Sequence, residues 1–282
     1  MSWLARHPAR MELHGRVALT TGGGGPGTGR AVAMRLAAEG ASVVVADVDV
    51  EGGHETVRRI EAAGGRAAFI RADVTVESDV AAMTAFAGQA YGGLDVLVNS
   101  AGGPAAPYFP DAPSDHWGRA LDLNLRGPMF AIQHALPSMR LRGGGAVVNI
   151  ASVAGLGTMR STPIEYAVAK AGLIRLTAVL GPLAARDGVR VNCVVPDWIA
   201  TPETTAYAAS LDAVGRAEVH MPDQMTPPEQ IAGEVVRFVK DDSLIGRVLV
   251  CWCEAPWALV APDDVGYGRS EAAATDRFGA AG

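Results

Sequence analysis

Residues 16–47 read RVALTTGGGGPGTGRAVAMRLAAEGASVVVAD, and three kinds of local order follow one another in them. Arg16-Val-Ala-Leu-Thr-Thr21 is a short, largely apolar run that predicts a buried strand. Gly22 to Gly29 form a loop of glycine broken only by Pro26 and Thr28. From Arg30 the pattern RAVAMRLAAEG places Ala and Leu at helical spacing and stops at Gly40. Ser42-Val-Val-Val-Ala-Asp47 then reads as a second strand. Strand, glycine loop, helix is the context in which a loop can cradle a phosphate. Glycines let the backbone approach the anion, and the free N–H groups of the helix start attract it. Asp47 closes the second strand about 20 residues beyond the glycines, where a carboxylate can hydrogen-bond a ribose diol. A flexible turn would also use glycine, and Asp47 would then merely open the turn Asp47-Val-Asp49. If a dinucleotide binds, Asp47 repels a 2′-phosphate, and the loop before Arg30 offers no basic residue to offset it. That favours NAD(H) over NADP(H).

The alternation continues outward. Val50–Ala63 reads as a helix closed by Gly64-Gly65, and Arg66–Arg71 as a strand leading into Asp73-Val74. Ser78–Tyr91 is a helix stopped by Gly92-Gly93, and Leu94–Asn99 a strand followed by Ser100-Ala101-Gly102. A long helix runs from Ser114 toward Met139 with Asn124 inside it, and Pro128 should kink or interrupt it. Val147–Ile150 and Val189–Val195 are strands, the second ending at Pro196. Ile231–Lys240 is helical, and Gly246–Cys253 is a last strand. Near-continuous apolar strands between helices predict an α/β fold, with a parallel sheet covered on both faces. The organisation expected is a leader over 1–14, a single doubly wound domain over 15–254 with a mobile loop near 197–227, and an irregular tail over 255–282.

The chain has 282 residues, 49% of them hydrophobic and 19% charged, with a net charge of −6. A soluble globular protein is expected, and the acidic balance speaks against a nucleic-acid partner. No apolar run approaches the roughly 20 residues of a membrane span, and the first residues lack the apolar core of a signal peptide, so a cytoplasmic location is expected. Cys193, Cys251 and Cys253 form no disulfide framework, and neither they nor the scattered histidines have metal-ligand spacing, so no metal is expected.

Chemistry concentrates in residues 149–170, NIASVAGLGTMRSTPIEYAVAK. Tyr166 and Lys170 stand four apart, on one face of a helix. An ammonium beside a phenol favours the phenolate and should lower the tyrosine pKa from roughly 10. Such a tyrosine could exchange a proton with an alcohol or ketone. Ser152, after the strand, could hold the same oxygen. A surface Tyr–Lys pair would have the same spacing, but lysine occurs in this chain only at Lys170 and Lys240. A chain that otherwise uses arginine keeps a compact point charge at this place.

Together these residues make the chain resemble the short-chain dehydrogenase/reductase family from about Gly15 to Cys253. The match rests on the glycine loop, Asp73-Val74, Asn99-Ser100-Ala101-Gly102, Asn124, Ser152, Tyr166 with Lys170, and Pro196 followed by Ile199 and Thr201. The resemblance implies a Rossmann-type domain with a seven-stranded parallel sheet, and a catalytic tetrad of Asn124, Ser152, Tyr166 and Lys170. Hydride would pass between the nicotinamide and a carbonyl carbon while Tyr166 moves the proton, Ser152 bonds the reacting oxygen and Asn124 positions a relay water. Lys170 would lower the Tyr166 pKa and bind the nicotinamide ribose. Gly22, Gly27, Thr28, Gly29 and Asp47 would meet the pyrophosphate and adenosine ribose, Asp73 and Val74 the adenine. Asn99, Ala101 and Gly102 would support the cofactor, and Pro196, Ile199 and Thr201 would hold its carboxamide end.

The chain departs from the family pattern in four places. Gly22 and Gly27 enclose four residues rather than three, and Ser152 and Tyr166 lie 14 apart, one more than is usual. Asp197 follows Pro196 where glycine is common, setting a carboxylate either near the nicotinamide or toward solvent. Trp252-Cys253-Glu254-Ala255-Pro256 replaces an Asp-Gly-Gly sequence after the last strand. The family pattern puts Pro104, Tyr108, Phe109, Met159, Trp198, Tyr207 and Met221 around the substrate, which suggests a hydrophobic or ring-containing secondary alcohol or ketone. Arg160 could pair with an acidic substrate, although an exposed loop arginine is the plainer reading. A homo-oligomer is expected, and the tail after Ala255 could cover an active site. The alternative is a nucleotide-sensing or non-redox protein on the same fold, which would be free to lose Tyr166 or Lys170.

Overall fold

A computed structural model of the chain describes residues 11–157 and 162–260. The β-branched runs become strands β1 (Val17–Thr21), β2 (Ser42–Asp47), β3 (Arg66–Arg71), β4 (Val96–Asn99), β5 (Gly145–Ile150), β6 (Val189–Pro196), β7 (Val248–Cys251) and β8 (Ala258–Val260). They form one sheet in the order β3-β2-β1-β4-β5-β6-β7-β8. The first seven are parallel, and β8 pairs antiparallel with β7. The seven parallel strands are those expected. The eighth is a correction: residues 258–260, assigned to an irregular tail, add an edge strand, because Ala258-Leu-Val260 can continue the ladder once the chain reverses at Pro256. Residues 261–282 lie outside the described residues.

The helices are α1 (Thr28–Ala38), α2 (Val50–Ala62), α3 (Glu77–Tyr91), α4 (Ser114–Leu121), α5 (Gly127–Leu141), α6 (Ile164–Val179), α7 (Leu183–Asp187), α8 (Pro202–Ser210), α9 (Ala213–Glu218) and α10 (Pro228–Lys240). Successive strand residues point to opposite faces. Ala18, Val96 and Val98 therefore pack with Val32, Leu36, Ile231 and Val235 of α1 and α10. Val17, Leu19 and Leu97 pack with Val80, Met83, Ala131 and Ala135 of α3 and α5 on the other face. Each fully buried aliphatic side chain contributes about 1.5–3 kcal/mol relative to exposure. Leu13, within the expected leader, is fully buried, and the Met11 amide donates to the Lys240 carbonyl.

The helix expected over residues 114–139 changes type partway along. A π-helical turn at Asp122–Arg126 links α4 to α5 without breaking the helical backbone, and Pro128, which has no N–H to donate, follows directly after this widened turn. By contrast, α6 ends before Gly181-Pro182 and α7 follows as a separate turn. The segment 197–227 carries α8 and α9. The strand order reverses between β1 and β4, and the crevice at their carboxyl ends is where ligands bind in open α/β sheets.

At the opposite end of the sheet Asp95 locks the frame. Its fully buried carboxylate accepts from Arg16, Arg142 and the Val17 amide at 2.8–3.2 Å. Burial pushes this carboxyl up, but the bonds from Arg142, Arg16 and Val17 outweigh it and hold the group below its ordinary range.

Candidate active site

The glycine loop leaves β1 at Gly22, whose φ of +69° favours glycine. A β-carbon on Gly22 would stand 2.7 Å from the Ala101 α-carbon, and one on Gly29 would stand 2.1 Å from the Gly22 carbonyl oxygen. These two glycines let β1, the β4 loop and the start of α1 touch. Gly25 has open space instead, and the Gly27 amide donates to the Gly25 carbonyl at 2.8 Å, so the additional residue is absorbed in a tight turn. Gly27 caps α1 without a side-chain bond, leaving the amides at Thr28 and Gly29 without a capping side chain. A β-carbon on Gly27 would face the Thr201 methyl at 3.5 Å, across the mouth of the crevice.

Asp47 lies beside this loop. Its Oδ2 accepts from the Gly24 amide at 2.7 Å and its Oδ1 from the Asp49 amide at 2.9 Å. Arg30, the first basic residue after the loop, folds back under it. It donates to Thr56 Oγ1 and to the Gly24 and Gly52 carbonyls. Its guanidinium is lowered by burial and by Arg59, against the opposing charges of Glu55, Asp49 and Asp47. A basic group therefore stands near Asp47 after all.

On the β4 side, Thr21 Oγ1 accepts from the Ser100 and Ala101 amides at 3.1 Å each. Asn99 turns away from the crevice: its side chain donates to Asn149 Oδ1, and Asn149 donates to Thr177 Oγ1. Any support it lends a cofactor through its side chain passes through this buried chain. Asp73 accepts from the Thr75 amide and hydroxyl, and Val74 is buried against Gly127.

Asn124, Ser152, Tyr166 and Lys170 come together. Ser152, whose hydroxyl accepts from the Ala154 amide at 3.2 Å, stands close enough to Tyr166 to favour its phenolate, and Lys170 Nζ lies 5.5 Å from the Tyr166 ring centre while donating to the Ile150 carbonyl at 2.9 Å. Asn124, in the π-helical turn, accepts from the Gly103 amide at 2.9 Å and donates to the Gly103 and Ala120 carbonyls at 3.0 Å. A β-carbon on Gly102 would stand 2.7 Å from Asn124 Oδ1 and 3.0 Å from Lys170 Nζ, so glycine is what lets these two groups approach.

The electrostatics correct one expectation. The Tyr166 pKa is raised rather than lowered: desolvation outweighs the influence of Ser152, and the buried Lys170 is itself brought down to about 8 by desolvation. A lysine held at a carbonyl, one turn below the ring, does not offset the loss of water around the phenol.

Pro196 ends β6, Ile199 pairs with Thr226, and Thr201 caps α8 through reciprocal bonds with Thr204. Asp197 is half-buried and turned onto the segment after β7. Its Oδ2 accepts from the Cys253 amide at 3.3 Å, and burial raises its carboxyl. The Trp252–Glu254 segment that replaces the family's glycines is thus tied to the residue that replaces glycine after Pro196. Of the expected substrate residues, Trp198 and Tyr207 stack at 6.1 Å, Phe109 meets Trp117 edge-on, Tyr108 and Pro104 are exposed, and Met221 is half-buried. Met159 and Arg160 lie outside the described residues. The hydroxyl of Thr21 escaped the sequence reading, although its place directly before the glycines was a signal. Buried Glu165 gave none, since an acid in a first helical turn reads as exposed.

A family model described as Enoyl-(Acyl carrier protein) reductase matches residues 25–248. The chain belongs to the short-chain dehydrogenase/reductase family. Among its relatives, cis-4-hydroxycyclohexanecarboxylate dehydrogenase of Sinomonas cyclohexanicum is 37% identical over 83% of this chain and 94% of that protein. Cyclohexanol dehydrogenase of Acinetobacter sp. (strain SE19) is 33% identical over 82% and 90%. The solved structure of a dehydrogenase/reductase from Sinorhizobium meliloti 1021 superposes with a TM-score of 0.76 at 30% identity, covering 86% of this chain and 95% of that one. This short-chain dehydrogenase/reductase is an oxidoreductase of the alcohol dehydrogenase type, and the nucleotide-sensing alternative is not favoured.

The family implies a nicotinamide cofactor, and the residues present fit one. Gly25 and Gly27 leave room, α1 starts with amides that lack a capping side chain, and Asp47 stands at the end of β2. Among the described residues no helix is long and apolar enough to cross a membrane, and no group of three or more His, Cys, Asp or Glu is placed to hold a metal ion.

Proposed function

We propose that this chain is an NAD-preferring dehydrogenase interconverting a ring-containing secondary alcohol and its ketone. The observation that carries the reading is the position of Lys170 Nζ, 5.5 Å from the Tyr166 ring centre and across Gly102 from Asn124, with Ser152 close enough to favour the phenolate. A carbinol oxygen placed between the two hydroxyls can exchange its proton with Tyr166 while Ser152 holds it. The bound nicotinamide supplies or accepts the hydride. Thr28 and Gly29 would take the pyrophosphate at the start of α1, and Lys170 the nicotinamide ribose. Asp73 and Val74 would meet the adenine, and Ile199 with Thr201 the carboxamide. Asn124, held rigidly by Gly103, would position a water linking Lys170 to solvent.

The ring is supported by relatives named for cyclohexanol, hydroxycyclohexanecarboxylate and 2,5-dichloro-2,5-cyclohexadiene-1,4-diol dehydrogenation. The stacked Trp198 and Tyr207 offer an apolar wall of matching size. NAD preference is supported by Asp47, whose carboxylate would repel a 2′-phosphate. A soluble homo-oligomer in the cytoplasm completes the reading. The test is a panel of ring and open-chain alcohols and ketones, followed by the near-ultraviolet absorbance of the reduced nicotinamide, with NAD(H) and NADP(H) in parallel. Turnover of ring substrates with NAD(H) is expected. Tight NADH binding without turnover of any substrate would overturn the reading.

A further inference from the structure

Both peptide groups of Gly24, in the middle of the glycine loop, are held from outside the loop. Its amide donates to Asp47 Oδ2 at 2.7 Å, and its carbonyl accepts from the Arg30 guanidinium. The same guanidinium reaches the Gly52 carbonyl at 3.2 Å and, through Nε, Thr56 Oγ1 at 2.8 Å. Thr56, fully buried in α2, donates to the Gly23 carbonyl at 2.7 Å, with the Gly52 carbonyl 3.0 Å away. A β-carbon on Gly52 would collide with the Gly24 carbonyl, so the first turn of α2 is bare where the loop lies against it. Arg30 and Thr56 thus tie the loop, α1 and α2 into one network. Its consequence is an orientation. In a trans peptide the carbonyl and the following amide point in opposite directions, and the peptide between Gly24 and Gly25 is trans. With the Gly24 carbonyl drawn to Arg30, the Gly25 amide points away from α2. That amide has no partner among the described residues, and Gly25 stands in open space.

We propose that Arg30 and Thr56 are positioning residues of the cofactor site: they hold the Gly23 and Gly24 carbonyls back, so that the loop presents its free Gly25 amide to the cofactor diphosphate. They act through the loop and set how tightly the cofactor binds. The inference rests on the nicotinamide cofactor of the proposed function and not on its ring substrate. A glycine loop lengthened by one residue has more conformations to lose on binding. The brace removes them beforehand, and a cradle ordered in advance binds more tightly. It also keeps two carbonyl oxygens, which would repel a phosphate, on the side of α2.

The experiment titrates the full chain with NADH, read by fluorescence, for wild type, Thr56→Val, Thr56→Ser and Arg30→Gln. Valine matches threonine in shape and lacks the hydroxyl, and serine restores it. Circular dichroism and cofactor-free melts check that each variant is folded, and two sites are used so that a folding defect at one leaves the other to decide. Thr56→Val is expected to weaken NADH binding by about tenfold, the scale of one lost buried hydrogen bond, and Arg30→Gln by at least as much. Thr56→Ser should stay within about threefold of wild type. Where an alcohol is turned over, KM for NAD should rise in step, while kcat and the KM for the alcohol at saturating NAD stay within about twofold. Wild-type affinity in folded Thr56→Val or Arg30→Gln overturns the inference and leaves the dehydrogenase reading standing. Equal weakening in Thr56→Val and Thr56→Ser also overturns it, since packing rather than the hydroxyl would then be responsible. Weakening that serine restores, in a protein that turns over no ring alcohol, supports the brace and sinks the ring-alcohol reaction. A wild type that binds no NADH overturns both.

Discussion

Lys170 Nζ sits 5.5 Å from the centre of the Tyr166 ring and donates to the Ile150 carbonyl at 2.9 Å. The pair is thus assembled around a main-chain oxygen at the end of β5, with Lys170 buried and Tyr166 partly exposed. Burial raises the phenol and lowers the amine to about 8, so the two move apart and Lys170 becomes the more readily deprotonated of the pair. With the phenol raised, Tyr166 is a proton donor at neutral pH, ready for ketone reduction. Alcohol oxidation needs its proton removed, so kcat/KM for oxidation is expected to keep rising with pH through the alkaline range, with no matching rise for reduction. Parallel pH profiles in the two directions check this.

Tyr166→Phe removes the hydroxyl and keeps the ring. Turnover is expected to fall by about 10²–10⁴-fold, while NADH binding, read by fluorescence, stays within severalfold. Retained turnover would remove Tyr166 from the proton-transfer role.

Lys170 carries a stability cost. Its folded pKa of about 8 lies below the ordinary lysine value, so between the two the unfolded chain binds more protons and stability rises with pH. Below about 8 both states are charged and the full cost is present. Lys170→Met should therefore stabilise the cofactor-free protein at neutral pH by about 1–2 kcal/mol, the shift being offset in part by the bond lost at Ile150. The gain should shrink as pH rises past 8, and turnover should vanish. Thermal melts across pH test both signs.

Asp47 and Arg30 set up a cofactor choice between them. Removing the carboxylate in Asp47→Ser leaves the Arg30 guanidinium near the ribose position. The ratio of kcat/KM with NADP to that with NAD is expected to rise about tenfold or more, equivalent to about 1.4 kcal/mol. No change would remove Asp47 from cofactor discrimination.

Gly29 and Gly25 offer a paired test of the loop. A methyl at Gly29 would collide with the Gly22 carbonyl, whereas Gly25 has open space. Gly29→Ala is expected to give unfolded or cofactor-free protein, and Gly25→Ala a normal melting temperature. Circular dichroism with NADH titration separates the two.

Asp95 governs acid stability. A carboxyl held below its ordinary range contributes stability above about 4 that is lost as pH falls through its folded value. Asp95→Ala should cost about 3 kcal/mol at neutral pH, with a smaller penalty in acid. Denaturant melts at neutral and acid pH measure the difference.

Much of the fold was legible because its causes are local. Val43–Val45 and Val96–Val98 are strands wherever they are buried on both faces, Gly40 and Gly92 end helices by their positive φ, and seven parallel strands follow from the alternation. Residues 258–260 were not legible as a strand. Three residues carry too little pattern, and only the exposed edge of β7 recruits them. The π-helical turn at Asn124 was foreshadowed by Pro128, but its form depends on the Gly103 backbone.

Asn124 entered the site only through the family resemblance, whereas residue order alone determined the doubly wound sheet, the phosphate-cradle context of the glycine loop and the Tyr166–Lys170 pairing. These follow from periodicity, from glycine's conformational freedom and from spacing along one helix face. Tertiary structure alone decided the sign of the Tyr166 shift, the turning of Asp197 onto Cys253, the return of Arg30 beneath the loop and the isolation of Glu165. Each depends on desolvation or on a partner distant in sequence, because the energy of a charge is set by what surrounds it in space.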